Sequence, residues 1–166
     1  MGRVAALSGV NPATLYRRWG TIDALVLDVM VDDLADSSPL TATGDLRADL
    51  LQYARQVQDL VSQPNGLHFL RALTAVTDTP DGETAARAIA QRRLDELAAL
   101  LRSDDARCLA PLDVVNTIVA PITYRRLVAP HLHLEHHELE RLVDALLAGA
   151  AARERLRSEA SQDPAH

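Results

Sequence analysis

Val4-Ala5-Ala6-Leu7-Ser8-Gly9-Val10-Asn11-Pro12-Ala13-Thr14-Leu15-Tyr16-Arg17-Arg18-Trp19 is the stretch from which the rest of the chain is read. A short helix through Ser8, a break at Gly9, and a second helix opened by Asn11 with Pro12 at its first position describe a compact helix-turn-helix. Gly9 suits the left-handed backbone that such a turn needs. Asn11 can accept from the free N–H groups of the second helix, and Pro12 loses nothing where no intrahelical donor is required. Val4, Ala5, Val10 and Leu15 supply an apolar seam, with Ala5 small enough for two helices to cross closely. Pro12, Ala13, Thr14, Arg17 and Arg18 fall outside that seam. Short side chains at a helix start allow close approach to a DNA groove, and Tyr16, Arg17 and Arg18 can reach phosphates. An ordinary helical hairpin with solvated arginines fits the same spacing.

Downstream, apolar residues recur at helical spacing almost to the end. Ile22, Leu25, Val26, Val29 and Met30 predict a helix over about 22–35, capped by Thr21. Asp32, Asp33 and Asp36 read as its solvated end. Ser37-Ser38-Pro39 to Thr43-Gly44 marks a boundary, giving a region 1–36 and a region 37–166. Leu46, Leu50, Tyr53, Val57 and Leu60 predict a helix over 45–62, ended by Pro64-Asn65-Gly66. Leu67, Leu70, Leu73 and Val76 form the next helix. A long one starts near Thr79-Pro80, with Ala90, Leu94, Leu97 and Leu101 on one stripe and an exposed Glu83–Arg87 pair. After a polar, irregular segment from Ser103 to Ala110, Pro111 opens the most apolar helix, carrying Leu112, Val114, Val115, Ile118, Val119 and Ile122. Pro121 within it predicts a kink or a local break. The last helix starts near Glu135 and presents Leu139, Leu142, Val143, Leu146, Leu147 and Ala150, with a polar tail fraying after about Arg157. The fold class is therefore all-α.

Composition narrows the functions. The 166 residues include 17 basic side chains, all Arg, against 23 acidic ones, a net charge of −6 that argues against a chain coated in nucleic acid. A local reader remains compatible, since Arg3, Arg17 and Arg18 precede the first acidic residue, Asp23. Cys108 is the only cysteine, which rules out an internal disulfide and a multi-cysteine zinc site. No apolar run approaches the ~18 residues of a membrane span and no signal pattern opens the chain, so the expected location is cytoplasmic. His131, His133, His136 and His137, with Glu135, Glu138 and Glu140, form a loose cluster read as a polar helix entry; no metal and no cofactor are expected. No nucleophile elbow, phosphate loop or paired-carboxylate motif is present, and the chain is not read as an enzyme.

The string SGVNPATLYRRWGTIDAL and the helix after it resemble the DNA-binding segment of TetR-type transcriptional regulators, with Gly9, Leu15, Tyr16, Trp19, Ala24 and Leu25 in register. The resemblance implies that Asn11, Pro12, Ala13 and Thr14 lie at the groove-facing start of the recognition helix, and that Tyr16, Arg17 and Arg18 grip the DNA backbone. Two departures stand out. Ile22 occupies the place where the family usually has a Lys, so one phosphate contact is absent. The family also has a helix ahead of the motif, which this chain, opening at Met1, does not carry. A recognition helix of eight residues is well below the roughly 12–15 that are marginal in isolation, so the reading unit is expected to be loosened.

The C-terminal stretches Ala120–Leu127 and Leu142–Gly149 resemble the family less specifically. They imply a homodimer through the last two helices, burying about 2,000 Å² or more. The family commonly binds a small, often apolar effector in its C-terminal bundle, and Tyr53, Phe69, Asn116, Thr123 and Tyr124 are candidates to line such a pocket. The implied function is a transcriptional regulator, a repressor released from a palindromic double-stranded DNA operator by a small-molecule effector. The alternative is a helical dimerisation or ligand-binding module that does not bind DNA in this form.

Overall fold

A computed structural model describes residues 2–22, 24–26, 28–29, 40–76, 80–102, 108–132 and 134–162, with backbone alone for residues 73, 76, 80–82, 85, 89, 161 and 162. The predicted Met30, Asp32, Asp33 and Asp36, the boundary at 36–37, the Thr79 helix start, most of the irregular segment from Ser103, and His133 lie outside the described residues. Among the described residues the secondary structure is helical throughout, with no strand. α1 is Gly2–Ser8 and α2 Pro12–Trp19; α3 is helical at 22, 24–26 and 28–29. α4 is Leu46–Ser62, α5 Gly66–Val76 and α6 Pro80–Leu100. α7, Pro111–Val114, runs through a π-turn at Val115–Val119 into α8, Ala120–Val128, and α9 is His136–Gln162.

α4 is the central post of the bundle. Asp45 caps it by accepting from the Ala48 N–H at 3.0 Å, and Leu46, Leu50, Leu51, Tyr53, Ala54, Val57 and Val61 are buried along its length. That apolar arc is wide enough to pack α5, α8 and α9 around one helix. α9 contributes Leu139, Val143, Leu146 and Ala150 at i, i+4, i+7, i+11, the spacing of one continuous face. α6 adds Leu97 and Leu100, with Leu101 just past its end, while Val114, Ile118 and Ile122 complete the core from the helix between.

Polar contacts fix the register of these packed helices. Arg47 on α4 forms a two-point pair with Asp144 on α9, at 2.7 and 3.1 Å. Gln58 donates to the Leu134 carbonyl at 2.9 Å, and Arg126 on α8 donates to the Val61 carbonyl at 2.8 Å and to Pro130 O at 2.9 Å. Asp49, buried in the first turn of α4, accepts from the Thr43 N–H at 2.9 Å and the Thr43 hydroxyl at 2.6 Å. It thereby holds the segment before α4 against the bundle; a carboxylate at a helix start is also favoured by the helix dipole.

Two local expectations are corrected and a third takes a specific form. The local break expected at Pro121 is an interruption of the α-helical ladder: the turn before the proline widens, with the Ala120 N–H reaching back to the Val115 carbonyl. An i→i−5 turn relocates the carbonyls that a proline, lacking an N–H and crowding residue i−4, cannot use. The C-terminal helix continues to Gln162 instead of fraying after Arg157. Leu112, predicted among the buried residues of its helix, is 58% exposed, because the helix turns its other side, through Val114, to the core.

Candidate nucleic-acid interface and internal cavity

Local rules build the N-terminal motif. Gly9 sits at φ 68°, the left-handed conformation that ends α1 without steric cost to glycine. Asn11 Oδ1 accepts from the Ala13 N–H at 2.9 Å, which caps α2, and Pro12 takes its first position. Gly20, at φ 67°, closes α2, and Thr21 Oγ1 accepts from the Ala24 N–H at 3.2 Å to start α3. Ala5 and Leu15 are buried and make the crossing of α1 and α2. Val4 is only half-buried, and Val10, expected in the seam, is 39% exposed. Val10 lies in the turn, where its side chain projects away from the crossing formed by Ala5 and Leu15.

Pro12, Ala13, Thr14, Tyr16, Arg17 and Arg18 all present themselves to solvent, with Tyr16 55% exposed, and the cap side chain of Asn11 stands beside them. The two arginines differ. Arg17 has no hydrogen bond or ion pair among the described residues. Arg18 lies over the Trp19 ring at 4.6 Å and 3.6 Å from Asp28 Oδ2 on α3. Trp19 Nε1 donates to the same Asp28 oxygen at 2.8 Å, so one carboxylate ties the end of α2 to α3. Sequence reasoning missed this clasp; a lone tryptophan with a carboxylate nine positions on was its only signal.

A cavity of about 330 Å³ opens between α4, α5, α6 and the π-turn. Tyr53, Phe69 and Thr123, three of the five predicted lining residues, belong to it; Asn116 and Tyr124 point outward, the latter 67% exposed. The walls are apolar except near Arg92, Arg93 and Glu96 on α6, which sequence reasoning left unassigned. Burial of Tyr53 raises its phenol pKa above the ordinary value, more than the Arg93 charge beside it lowers it, so it remains a neutral donor.

The histidine cluster does not converge. His136 sits 3.2 Å from Arg55 Nη2 and 3.6 Å from Glu140, His131 and His137 are exposed, and no group of three His, Cys, Asp or Glu poised for a metal occurs among the described residues. Glu138 closes the start of α9, accepting from the Glu135 N–H at 2.8 Å and from Arg125 at 3.0 Å. Those two contacts, the backbone one first, hold its carboxyl below the ordinary range. No helix among the described residues is long and apolar enough to cross a membrane.

A capped helix-turn-helix joined to an all-α bundle with an internal apolar cavity defines the class of helix-turn-helix regulators with a helical C-terminal domain. Residues 40–146 match the family described as tetracyclin repressor-like, C-terminal domain. The chain belongs to this TetR family of transcriptional regulators. It is similar to the HTH-type transcriptional regulator AqdR of Rhodococcus erythropolis, 30% identical over 91 residues that cover 55% of this chain and 44% of the relative. The matched stretch thus spans less than half the length of that curated relative.

Proposed function

We propose that the chain is a homodimeric DNA-binding regulator, a repressor whose release from a palindromic operator is driven by a small molecule in the bundle. Residues 1–36 act as the reading head and 37–166 as the effector-binding and dimerisation domain. The observation that carries this reading is α2: an Asn11-capped, Pro12-started helix standing on Ala5 and Leu15, with the groove-facing residues exposed. Asn11, Pro12, Ala13 and Thr14 face the bases, Tyr16 and Arg17 take phosphates, and Arg18 does so while leaning on Trp19 and Asp28. Two copies of α2, roughly 34–36 Å apart, enter successive major grooves.

Dimerisation uses the outer surfaces of α8 and α9. Tyr124, Leu127 and Val128 on α8 and Leu156 on α9 are exposed apolar residues, and Ala145, Ala148 and Gly149 leave α9 smooth enough for close approach by a second helix. An effector that binds the non-operator state more tightly shifts the dimer away from DNA by that difference alone.

Fluorescence anisotropy against DNA flanking the encoding gene, at several salt concentrations, tests the proposal. Specific binding is expected, with Arg17→Ala lowering the slope of log K against log salt by about one phosphate contact. A stable dimer without DNA affinity would favour a dimerisation module instead. One observation lends that second reading support: α1 and α2 bury only Ala5 and Leu15.

A further inference from the structure

One hydroxyl proton in the wall of the internal cavity is unspent, and it says what kind of molecule fits there; the inference rests on the reading of that cavity as the effector site. Most of the wall is hydrocarbon, from Val57, Leu60, Phe69, Leu94, Val115 and Val119. Two hydroxyl groups interrupt it, and they differ. The Thr123 hydroxyl lies 2.9 Å from Val119 O and 3.1 Å from Ala120 O, so its proton is committed to the helix backbone. Tyr53 is almost wholly buried, with the Arg93 guanidinium over its ring at 4.8 Å and beside its phenol oxygen. A guanidinium only donates, so it can use the lone pairs of that oxygen but cannot take its proton. Among the described residues the Tyr53 hydroxyl donates no hydrogen bond. A buried donor left without an acceptor is costly, and a ligand that supplies the acceptor recovers that cost. The charges around the phenol decide which acceptor. Arg93 already has its counter-ion, since Glu96 accepts from its Nη1 at 2.6 Å, and the Glu96 charge also acts on the phenol. A carboxylate brought to the Tyr53 hydroxyl would have to leave water and stand near a second carboxylate. A carbonyl oxygen takes the proton with no charge to desolvate.

We propose that the cavity takes a neutral, largely apolar molecule with one carbonyl group, a small ketone or ester whose body lies on the hydrocarbon wall and whose oxygen accepts the Tyr53 proton. The space of about 330 Å³ is at the lower end of small-molecule sites and suits one ring with a short chain. Body and head then do separate work: the wall holds the hydrocarbon, and the phenol selects the group it carries.

Benzylacetone, hydrocinnamate and butylbenzene share a phenylethyl body and end in a methyl ketone, a carboxylate and an ethyl group, so calorimetric titration of the full chain at neutral pH compares heads on one body. Tyr53→Phe then reads the head apart from the hydrophobicity of the ligand. The variant is expected to weaken benzylacetone binding about three- to tenfold. Butylbenzene, which leaves the phenol unpaired, should bind the variant as well as the parent or better. On the unmodified chain hydrocinnamate is expected to bind about tenfold or more weakly than the ketone. Should Tyr53→Phe not fold, the infrared carbonyl band of benzylacetone bound to the unmodified chain decides the point: an accepted hydrogen bond lowers it from its position in hexane, and a hexane-like band would overturn the contact. Equal weakening of ketone and hydrocarbon by Tyr53→Phe, or tighter binding of the acid than of the ketone, would overturn the carbonyl assignment and leave the cavity as an effector site. Binding of none of the three would overturn the cavity as a small-molecule site, and the effector reading with it.

Discussion

Gly66→Ala is expected to be among the most damaging single-methyl changes in the bundle. A Cβ at this position would press on the Val61 carbonyl oxygen and stand 2.5 Å from the carbonyl carbon and 2.6 Å from Leu60 O, whereas real Cβ contacts stay above 3.0 Å. The obstacle is backbone at the end of α4, so no side-chain rotation relieves it. The Val61 carbonyl is also the acceptor for Arg126 Nε at 2.8 Å, and any retreat that makes room for the methyl group stretches that bond. Overpacking costs about 1–3 kcal/mol and loss of a charged hydrogen bond about 1.5–3. Together they amount to about 2.5–6 kcal/mol, or a fall of about 5–24 °C in Tm for a chain of this size. Urea unfolding followed by far-UV circular dichroism, at fixed protein concentration, measures it. Arg126→Met removes this bond together with the one to Pro130 O, and the double variant should cost less than the sum of the two single variants, since the Val61 bond cannot be lost twice. A Gly66→Ala variant within about 0.5 kcal/mol of the parent, or a strictly additive double variant, would refute the reasoning.

Asp28→Ala removes the acceptor shared by Trp19 and Arg18; emission from Trp19, the only tryptophan, should shift to the red while far-UV dichroism is preserved, and an unchanged spectrum would dismiss the clasp. Asp49→Ala strips both bonds from Thr43 and should cost about 2–4 kcal/mol in urea unfolding. Glu138 titrates below its ordinary value of 4.5 in the folded chain, so its contribution is complete above that pH and is lost as pH falls through the lower folded value; Glu138→Gln should flatten the acid limb of a Tm-against-pH curve in that window. Gly149, with nothing within 4 Å of a Cβ, provides a test of the proposed dimer: Gly149→Leu should leave the helix intact yet raise the monomer fraction in sedimentation, and a dimer unaffected by it would refute the proposed interface.

The sequence was most informative where a rule acts within four residues. Gly9, Asn11, Pro12, Thr21 and Asp45 each do what their chemistry dictates locally, so helix starts and the turn were legible in advance. The Glu83–Arg87 pair, 2.8 Å apart, follows from the same short-range geometry. Burial was legible only as a spacing. Thr123 and Tyr124 are neighbours of similar promise, yet one lines the cavity and the other faces solvent, because which side of a helix is covered depends on where its neighbours lie. The patch on α6 was missed for a related reason. Nothing local in the sequence sets Arg92, Arg93 and Glu96 apart; what does is the Tyr53 ring, forty residues before Arg93, folded against that arginine. Val10 makes the converse case, an apolar residue of the motif that the helix crossing does not cover.

The π-turn at Val115–Val119 acts as a phase offset between two jobs done by one helical rod. Val115 and Val119 belong to the cavity wall, while Tyr124, Leu127 and Val128, beyond the turn, form the outward apolar stripe. An α-helix advances about 100° per residue, and the i→i−5 bond takes up one extra residue in the turn, so winding the same residues as an unbroken α-helix would rotate wall and stripe by about that angle relative to each other. One of the two would then face the wrong way. The wider turn is therefore what lets the inner and outer surfaces keep separate azimuths on one rod, and Pro121 fixes where along it the offset is placed.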